Sequence, residues 1–297
     1  MRTSLPRRLL LVTLLSVVAV AALLVTWNPL AAFNLIAPKD AGSRIAASGI
    51  AYGSESRQRL DVYRPAGAAQ GLPTIVFFYG GAWSSGSRGD YEFAARALAA
   101  RGFVVIVPDY RLVPEIVFPD FLRDCAAAVR WARGHAREFG GDGERLFLIG
   151  HSAGAYNAMM LALDGRWLGS ERGAIRGVVG IAGPYDFVPF DDQAAIAAFG
   201  GWPDAADTQP VNHVGPAPPI LLLHGTADDR VRPRNSEALY ARLKAAGDPV
   251  ELKTYPGVSH ADIMLALSRP LRERAPTLDD IGRFVARRAM QQHGGIR

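Results

Sequence analysis

The sequence predicts an α/β protein: a mostly parallel central sheet with helices on both faces, antiparallel N-terminal strands and one lid-like insertion. Three observations carry that prediction. Apolar runs of strand length recur ("TIVFFY", "FVVIVPDY", "RLFLIG", "IRGVVGIAG", "PPILLLHG"), and continuous runs mark strands buried on both faces. Helical patterns separate them, which is the alternation of a sheet wound with helices. The chain has 297 residues, 49% of them hydrophobic and 21% charged, enough for one large domain with a substantial core or for two small domains.

The elements follow in order. "MRTSLPRRLLLVTLLSVVAVAALLVTW" places Arg2, Arg7 and Arg8 before an uncharged run from Leu9 to Trp27. As a helix that run would be about 28 Å long, enough to cross a bilayer core. Two readings fit it, a cleaved signal peptide and an uncleaved signal anchor. The length favours residues 1–27 as a transmembrane anchor, and the positive flank puts the remainder on the exported side, periplasmic or extracellular. Residues 28–45, with Pro29, Pro38 and Gly42, read as a linker to a domain over 46–297.

"GIAYG" and "RLDVYRP" alternate as two antiparallel strands about a turn at Gly53–Ser56. After "TIVFFY" a helix is expected over Tyr91–Ala100, closed by Arg101 and Gly102. "FVVIVPDY" is the next strand and "DFLRDCAAAVRWARGHAREFG" a long helix. "RLFLIG", the helix "AGAYNAMMLAL" and the strand "IRGVVGIAG" come next. Residues 183–219 break the alternation with Pro, Gly and aromatics and read as the lid-like insertion. "PPILLLHG", the helix "RNSEALYARLKAAG", the strand "VELKTYPG" and a helix over about Thr277–Gln291 complete the chain.

Bulk properties exclude some functions. The formal net charge is +5 and only Lys39, Lys244 and Lys253 are lysines. No basic stripe interleaves with aromatics, so nucleic acid is not an expected partner. A single cysteine, Cys125, rules out an intramolecular disulfide. It lies in a helical pattern, where a small buried hydrophobe is the expectation.

Chemistry concentrates in four places. Gly150-His151-Ser152-Ala153-Gly154 is a G-x-S-x-G between an apolar strand and a helix. A serine lifted on so tight a turn needs near-absent side chains two positions either side. Ser152 is thus the candidate nucleophile, and a hydroxyl needs a base to attack. Asp228 follows the strand "PPILLLHG" at the spacing Gly225, Asp228, Val231, and is the candidate acid. Asp229 beside it is better suited to capping the helix near Pro233. His260 follows "VELKTYPG" and is the candidate base, giving the chain order Ser, Asp, His. His135, His151, His213, His224 and His293 lack that placement, and His151 is expected to point away from Ser152. Finally, "FFYGGAW" (Phe77 to Trp83) ends a strand in paired glycines, which weaken strands and so imply a close backbone approach. It sits where the second part of an oxyanion hole belongs. The N–H groups of Gly81, Ala82 and Ala153 are the candidate donors.

Taken together, "YGGAW", "PDYRLVPE", "FGGDGERLFLIGHSAG", "HGTADDRVRP" and "GVSH" resemble the α/β-hydrolase carboxylesterases, over roughly Gly49 to Met290. The likeness is to the hormone-sensitive-lipase-like esterases and the esterase–kynurenine formamidase group. It implies the α/β-hydrolase fold, a serine hydrolase acting on a small-molecule ester, and neither metal nor organic cofactor. Many such proteins read H-G-G-G or H-G-G-x-W where this chain has Tyr79, so a tyrosine brace is expected in place of histidine. "RLVPEIVFP" matches a supporting stretch in which Glu115 is structural. Trp83, Phe187 and Trp202, with Phe190 and Phe199, are candidates to line an acyl pocket or to pack the lid. Ester hydrolysis, amide or formamide hydrolysis (kynurenine formamidase) and an inactive binding protein on the same fold all remain open at this point. A prolyl-oligopeptidase-like peptidase is disfavoured because the chain leaves no room for an accessory propeller.

Overall fold

The computed structural model describes residues 29–290. The anchor expected over 1–27 lies outside them. Among the described residues, no helix is long and apolar enough to cross a membrane.

Among the described residues, eight strands form one sheet in the order β1-β2-β4-β3-β5-β6-β7-β8. They are β1 (Ser43–Ala51), β2 (Arg59–Pro65), β3 (Leu72–Phe78), β4 (Val104–Pro108), β5 (Gly141–His151), β6 (Ile175–Ile181), β7 (Ile220–Gly225) and β8 (Val250–Tyr255). β1 and β2 run antiparallel, β2 joins β4 antiparallel, and all later pairings are parallel. The apolar runs read from the sequence are the buried centre: every residue of β4 and of β7 is buried. Both faces are covered by helices, so these strands need apolar side chains on both sides.

The helices are α1 (Pro29–Ile36), α2 (Glu92–Ala100), α3 (Asp120–His135), α4 (Ala153–Leu163), α5 (Gly165–Leu168), α6 (Gln193–Phe199), α7 (Arg234–Ala245), α8 (His260–Leu265) and α9 (Thr277–Met290). α4, all of whose residues are buried, runs from the end of the central strand β5. A helix apolar on every side belongs to the interior, and here that places its N-terminus in the middle of the molecule. Cys125 is fully buried in α3, and burial pushes its thiol well above the usual range.

Two expectations change. The stretch 28–45 is not only linker: α1 fills its first half, and β1 begins at Ser43. The helix is held by Asn34, whose Oδ1 accepts from Phe93 N–H at 2.9 Å and whose Nδ2 donates to Gly89 O at 2.8 Å. Phe33 packs edge-on against Phe93 at 5.4 Å. For the insertion 183–219 the expectation narrows, since the second of the two roles open to its aromatics, packing onto the body, is the one Phe199 takes. Phe199 is buried at its centre, meeting Trp83 at 4.7 Å and Phe118 at 5.5 Å. Phe118 N–H also donates to Ala198 O at 2.9 Å, so the supporting stretch Arg111–Pro119 is bound to the insertion. Arg111 grips the buried Asp124 through two hydrogen bonds of 2.8 and 2.9 Å, while Glu115 is exposed.

Candidate active site

Ser152 stands between β5 and α4 at φ 55°, ψ −123°. An alanine or serine in this region carries about 1–3 kcal/mol of strain that the surroundings must hold. The surroundings are close. Ser152 N–H donates to Ile181 O at 2.9 Å. A Cβ on Gly154 would lie 2.1 Å from Phe78 O, and one on Gly150 would lie 2.1 Å from Gly154 O. Side chains two positions before and after the serine are therefore excluded, which is the physical content of the G-x-S-x-G spacing.

The loop after β3 passes just as near. A Cβ on Gly80 would sit 2.9 Å from Ser152 Cβ, and Gly81 has φ 136°. Ala82 and Trp83 continue at φ 51° and 57°. This run of unfavourable backbone is fastened from all sides. Ser84 and Ser85 N–H both donate to Gly81 O at 3.0 Å, and Val113 N–H donates to Trp83 O at 2.9 Å. Trp83 Nε1 donates to the buried Asn157 at 3.1 Å. Among the described residues, the N–H groups of Gly81, Ala82 and Ala153 donate to no protein acceptor. Ala153 opens α4, where the helix dipole also favours negative charge.

Tyr79 is fully buried, and its ring stacks on Tyr110 at 4.7 Å. Its hydroxyl accepts from Arg57 Nη2 at 3.0 Å, and the same guanidinium reaches the carbonyls of Gly86 and, at 2.8 Å, Tyr110. Tyr110 Oη donates to Tyr79 O at 2.9 Å. The tyrosine is thus one member of a braced group around the glycine loop.

Asp228 and His260 arrive from the loops after β7 and β8. His260 Nδ1–H donates to Asp228 Oδ2 at 2.7 Å, and His260 Nε2 lies 3.0 Å from Ser152 Oγ. That tautomer leaves the Nε2 lone pair for the serine proton. Asp228 Oδ1 accepts from the N–H groups of Val231 at 2.8 Å and Arg230 at 3.1 Å. Burial opposes its charge, but hydrogen bonds from His224, His260 and Val231 N–H outweigh it and hold the carboxyl well below the usual carboxylate range. Asp229 is exposed and does not cap α7: the cap residue is Pro233, with no side-chain hydrogen bond. Asp228 itself makes the local turn.

Two histidines set aside in the sequence stand beside this chain. His224 is fully buried behind the acid, with Nε2 2.7 Å from Val231 O and 3.3 Å from Asp228 Oδ2, and Nδ1 2.7 Å from Ser236 Oγ. His151 makes no hydrogen bond to Ser152. Its Nδ1 lies 3.2 Å from Tyr91 Oη, which accepts Gly80 N–H at 3.1 Å, and its Nε2 lies 3.3 Å from His260 O. Burial and the nearby His260 push His151 down to about 3, so it is neutral and ties the glycine loop, the serine turn and the α8 start together. His151 has no local sequence signal, because its partners lie 60 and 109 positions away, whereas those of His224 lie within 12 positions and are brought onto its ring by the turn after β7.

Ser152 opens into a cavity of about 400 Å³ lined by Ala82, Trp83, Ala153, Phe187 and Val231. Trp83 and Phe187 stack along one side, 6.1 Å apart. Trp202 is not part of that lining. It packs edge-on to Phe118 at 5.0 Å and donates from Nε1 to Asp207 at 3.1 Å. Among the described residues, no group of three or more His, Cys, Asp or Glu side chains is arranged to hold a metal ion.

Comparison with known proteins adds the family. Residues 60–243 match the family model described as BD-FAE. The probable isoprenylcysteine alpha-carbonyl methylesterase ICMEL1 of Oryza sativa subsp. japonica is 29% identical over 249 residues, covering 75% of this chain and 58% of that protein. This chain thus spans little more than half the length of such plant relatives. Carboxylesterase NlhH of Mycobacterium tuberculosis (strain CDC 1551 / Oshkosh) is 30% identical over 256 residues, 78% of this chain and 79% of its own. Esterase B from Lactobacillus rhamnosis shares the fold at a TM-score of 0.78 and 22% identity, over 92% of this chain and 96% of that one. With the family model matched over most of the sheet and these relatives beside it, the chain belongs to the BD-FAE family of α/β-hydrolase esterases.

Proposed function

We propose that the protein hydrolyses carboxylic esters through Ser152, His260 and Asp228 and an acyl-enzyme intermediate. The observation that carries this reading is the unbroken chain from Asp228 Oδ2 to His260 Nδ1 at 2.7 Å and from His260 Nε2 to Ser152 Oγ at 3.0 Å. Ser152 Oγ attacks the ester carbonyl carbon while His260 Nε2 takes its proton. The carbonyl oxygen becomes an oxyanion and is received by the N–H groups of Gly81, Ala82 and Ala153. As the tetrahedral species collapses, the C–O bond to the alcohol breaks and His260 returns the proton to the leaving oxygen. Water, giving a proton to His260 Nε2, then attacks the acyl carbon, and as the bond to Ser152 Oγ breaks His260 returns the proton to Oγ and the acid is released. Asp228, held ionised, keeps the imidazole in its working tautomer and offsets its transient charge. Trp83 and Phe187 flank the acyl group.

Names of the relatives support an ester over an amide substrate: NlhH is a carboxylesterase and ICMEL1 a probable methylesterase. The N-terminal run supports a membrane-anchored enzyme with its catalytic domain exported. A fluorophosphonate probe tests the hydrolase reading. Labelling of the protein but not of Ser152→Ala is expected, together with turnover of p-nitrophenyl esters. No Ser152-dependent labelling would sink it, and turnover of N-formylkynurenine alone would make the protein a formamidase.

A further inference from the structure

A second, smaller opening leads to the same serine. This cavity of about 260 Å³ is lined by Gly81, Ser152 and His260 on one side and by Pro29 and Leu30 on the other. The first turn of α1 therefore forms a wall of the catalytic mouth. α1 itself reads PLAAFNLI, with Asn34 its only polar side chain, and none of its residues is buried. Leu35 and Ile36 are 77% and 80% exposed. Two adjacent large aliphatics so open on one short helix form an apolar surface that the fold does not cover.

The sequence before α1 indicates what covers it. The uncharged run Leu9–Trp27 ends two residues before Pro29, and two residues of chain reach at most about 7 Å. A segment that spans a bilayer and ends at Trp27 holds Pro29, and the cavity wall with it, at the lipid–water boundary. Arg230 lines the same cavity, exposed and without an acidic partner among the described residues, so a positive charge also stands at that boundary.

We infer that the catalytic mouth faces a lipid surface, that Leu35 and Ile36 of α1 rest on it, and that the enzyme takes esters presented by that surface, amphiphiles whose chains remain in the bilayer. This rests on the proposed ester hydrolysis and on the N-terminal anchor. A freely dissolved short ester needs no such placement, so the two substrate types separate the inference from its foundations.

The test uses the full chain in phosphatidylcholine–phosphatidylglycerol vesicles. Wild type is compared with a variant carrying a 20-residue Gly-Ser spacer between Asn28 and Pro29, and with Leu35→Ser/Ile36→Ser. Such a spacer adds about 25 Å of root-mean-square reach, enough to lift the mouth off the surface while the anchor stays. All three proteins are expected to float with the vesicles and to cleave p-nitrophenyl butyrate from solution at equal rates. On a long-chain fluorogenic ester embedded in the vesicles, the spacer variant should be at least fivefold slower and the double serine variant severalfold slower. Equal rates on the embedded ester overturn the inference. A wild type that does not float overturns the anchor and the inference with it. Absence of turnover on the soluble ester instead defeats the hydrolase reading.

Discussion

The two walls of the main cleft are built in opposite ways. In the inner wall, formed by the Ser152 turn, the glycine loop and Asp228, hydrogen bonds fasten each part from several sides and leave the N–H groups of Gly81, Ala82 and Ala153 without a protein acceptor among the described residues. The outer rim, where the insertion faces the start of α7, is exposed. Asp191, Arg230, Arg232 and Arg234 line it, and none of them has an ion-pair partner among the described residues. The buried Asp124, by contrast, is matched by Arg111. The difference teaches a division of labour. Groups that must hold sub-ångström positions are fixed from several sides, and groups that meet a variable part of a substrate are left in water, where an unpaired charge costs little.

Breaking the inner wall at its charge gives the largest effect. Asp228→Asn keeps the shape but removes the charge that sets the His260 tautomer, and kcat should fall by about 10³–10⁴-fold. Stability should respond as well. A carboxyl depressed in the folded state contributes stability above its unfolded value of about 3.9, and that contribution is lost as pH falls through the folded value. The melting-temperature gap between wild type and Asp228→Asn should be full above about pH 5 and shrink toward pH 2. A gap that is constant across that range would show that the carboxylate is not specially stabilised.

One step back from the acid, His224→Leu removes the hydrogen-bonding group behind Asp228. A loss of about tenfold in kcat, with KM little changed, is expected from one hydrogen bond of about 1.4 kcal/mol. A change in KM alone would contradict a positioning role. Tyr79→Phe removes only one of the hydrogen bonds that Arg57 makes. Turnover should drop by no more than about threefold and thermal unfolding should come earlier, because a hydrogen bond to a charged group contributes about 1.5–3 kcal/mol. Inactivity in a folded Tyr79→Phe protein would mean that the hydroxyl takes part in chemistry. Smallest of all, Arg230→Gln/Arg232→Gln/Arg234→Gln should leave stability within about 0.5 kcal/mol and neutral short esters unaffected in solution. Only substrates with charged tails should shift in KM, and a fall in kcat on neutral esters would place the rim among the positioned groups.

The sheet was legible because its central strands are fully buried, and burial on both faces writes itself as an unbroken apolar run. The nucleophile turn was legible for an equally local reason: Gly150 and Gly154 answer contacts of 2.1 Å with backbone only a few residues away or directly beneath. α1 was not legible. Its eight residues open on Pro29 and stop short of Pro38, and what holds it is Asn34, bonded to residues more than fifty positions later. His151 was passed over for the same cause, with partners 60 and 109 positions away; His224 was passed over although Asp228, Val231 and Ser236 lie within 12 positions, because spacing alone does not show that they turn back onto its ring. Trp202 was left open between the cavity and the packing of the insertion, because an aromatic there can face either, and Asp207, five positions on, decided for the packing.

Cys125 closes the account from the far side of the cleft. Its sulfur receives Asn157 Nδ2 at 3.5 Å, and the same amide holds Trp83 of the glycine loop. The sole thiol of the chain is therefore a built-in reporter for the rear of the active site. Thiol reagents should reach it only when α3 and α4 part, so its labelling rate times how often that interior opens. Cysteines introduced elsewhere on the surface could carry dyes without competition from it while the protein stays folded.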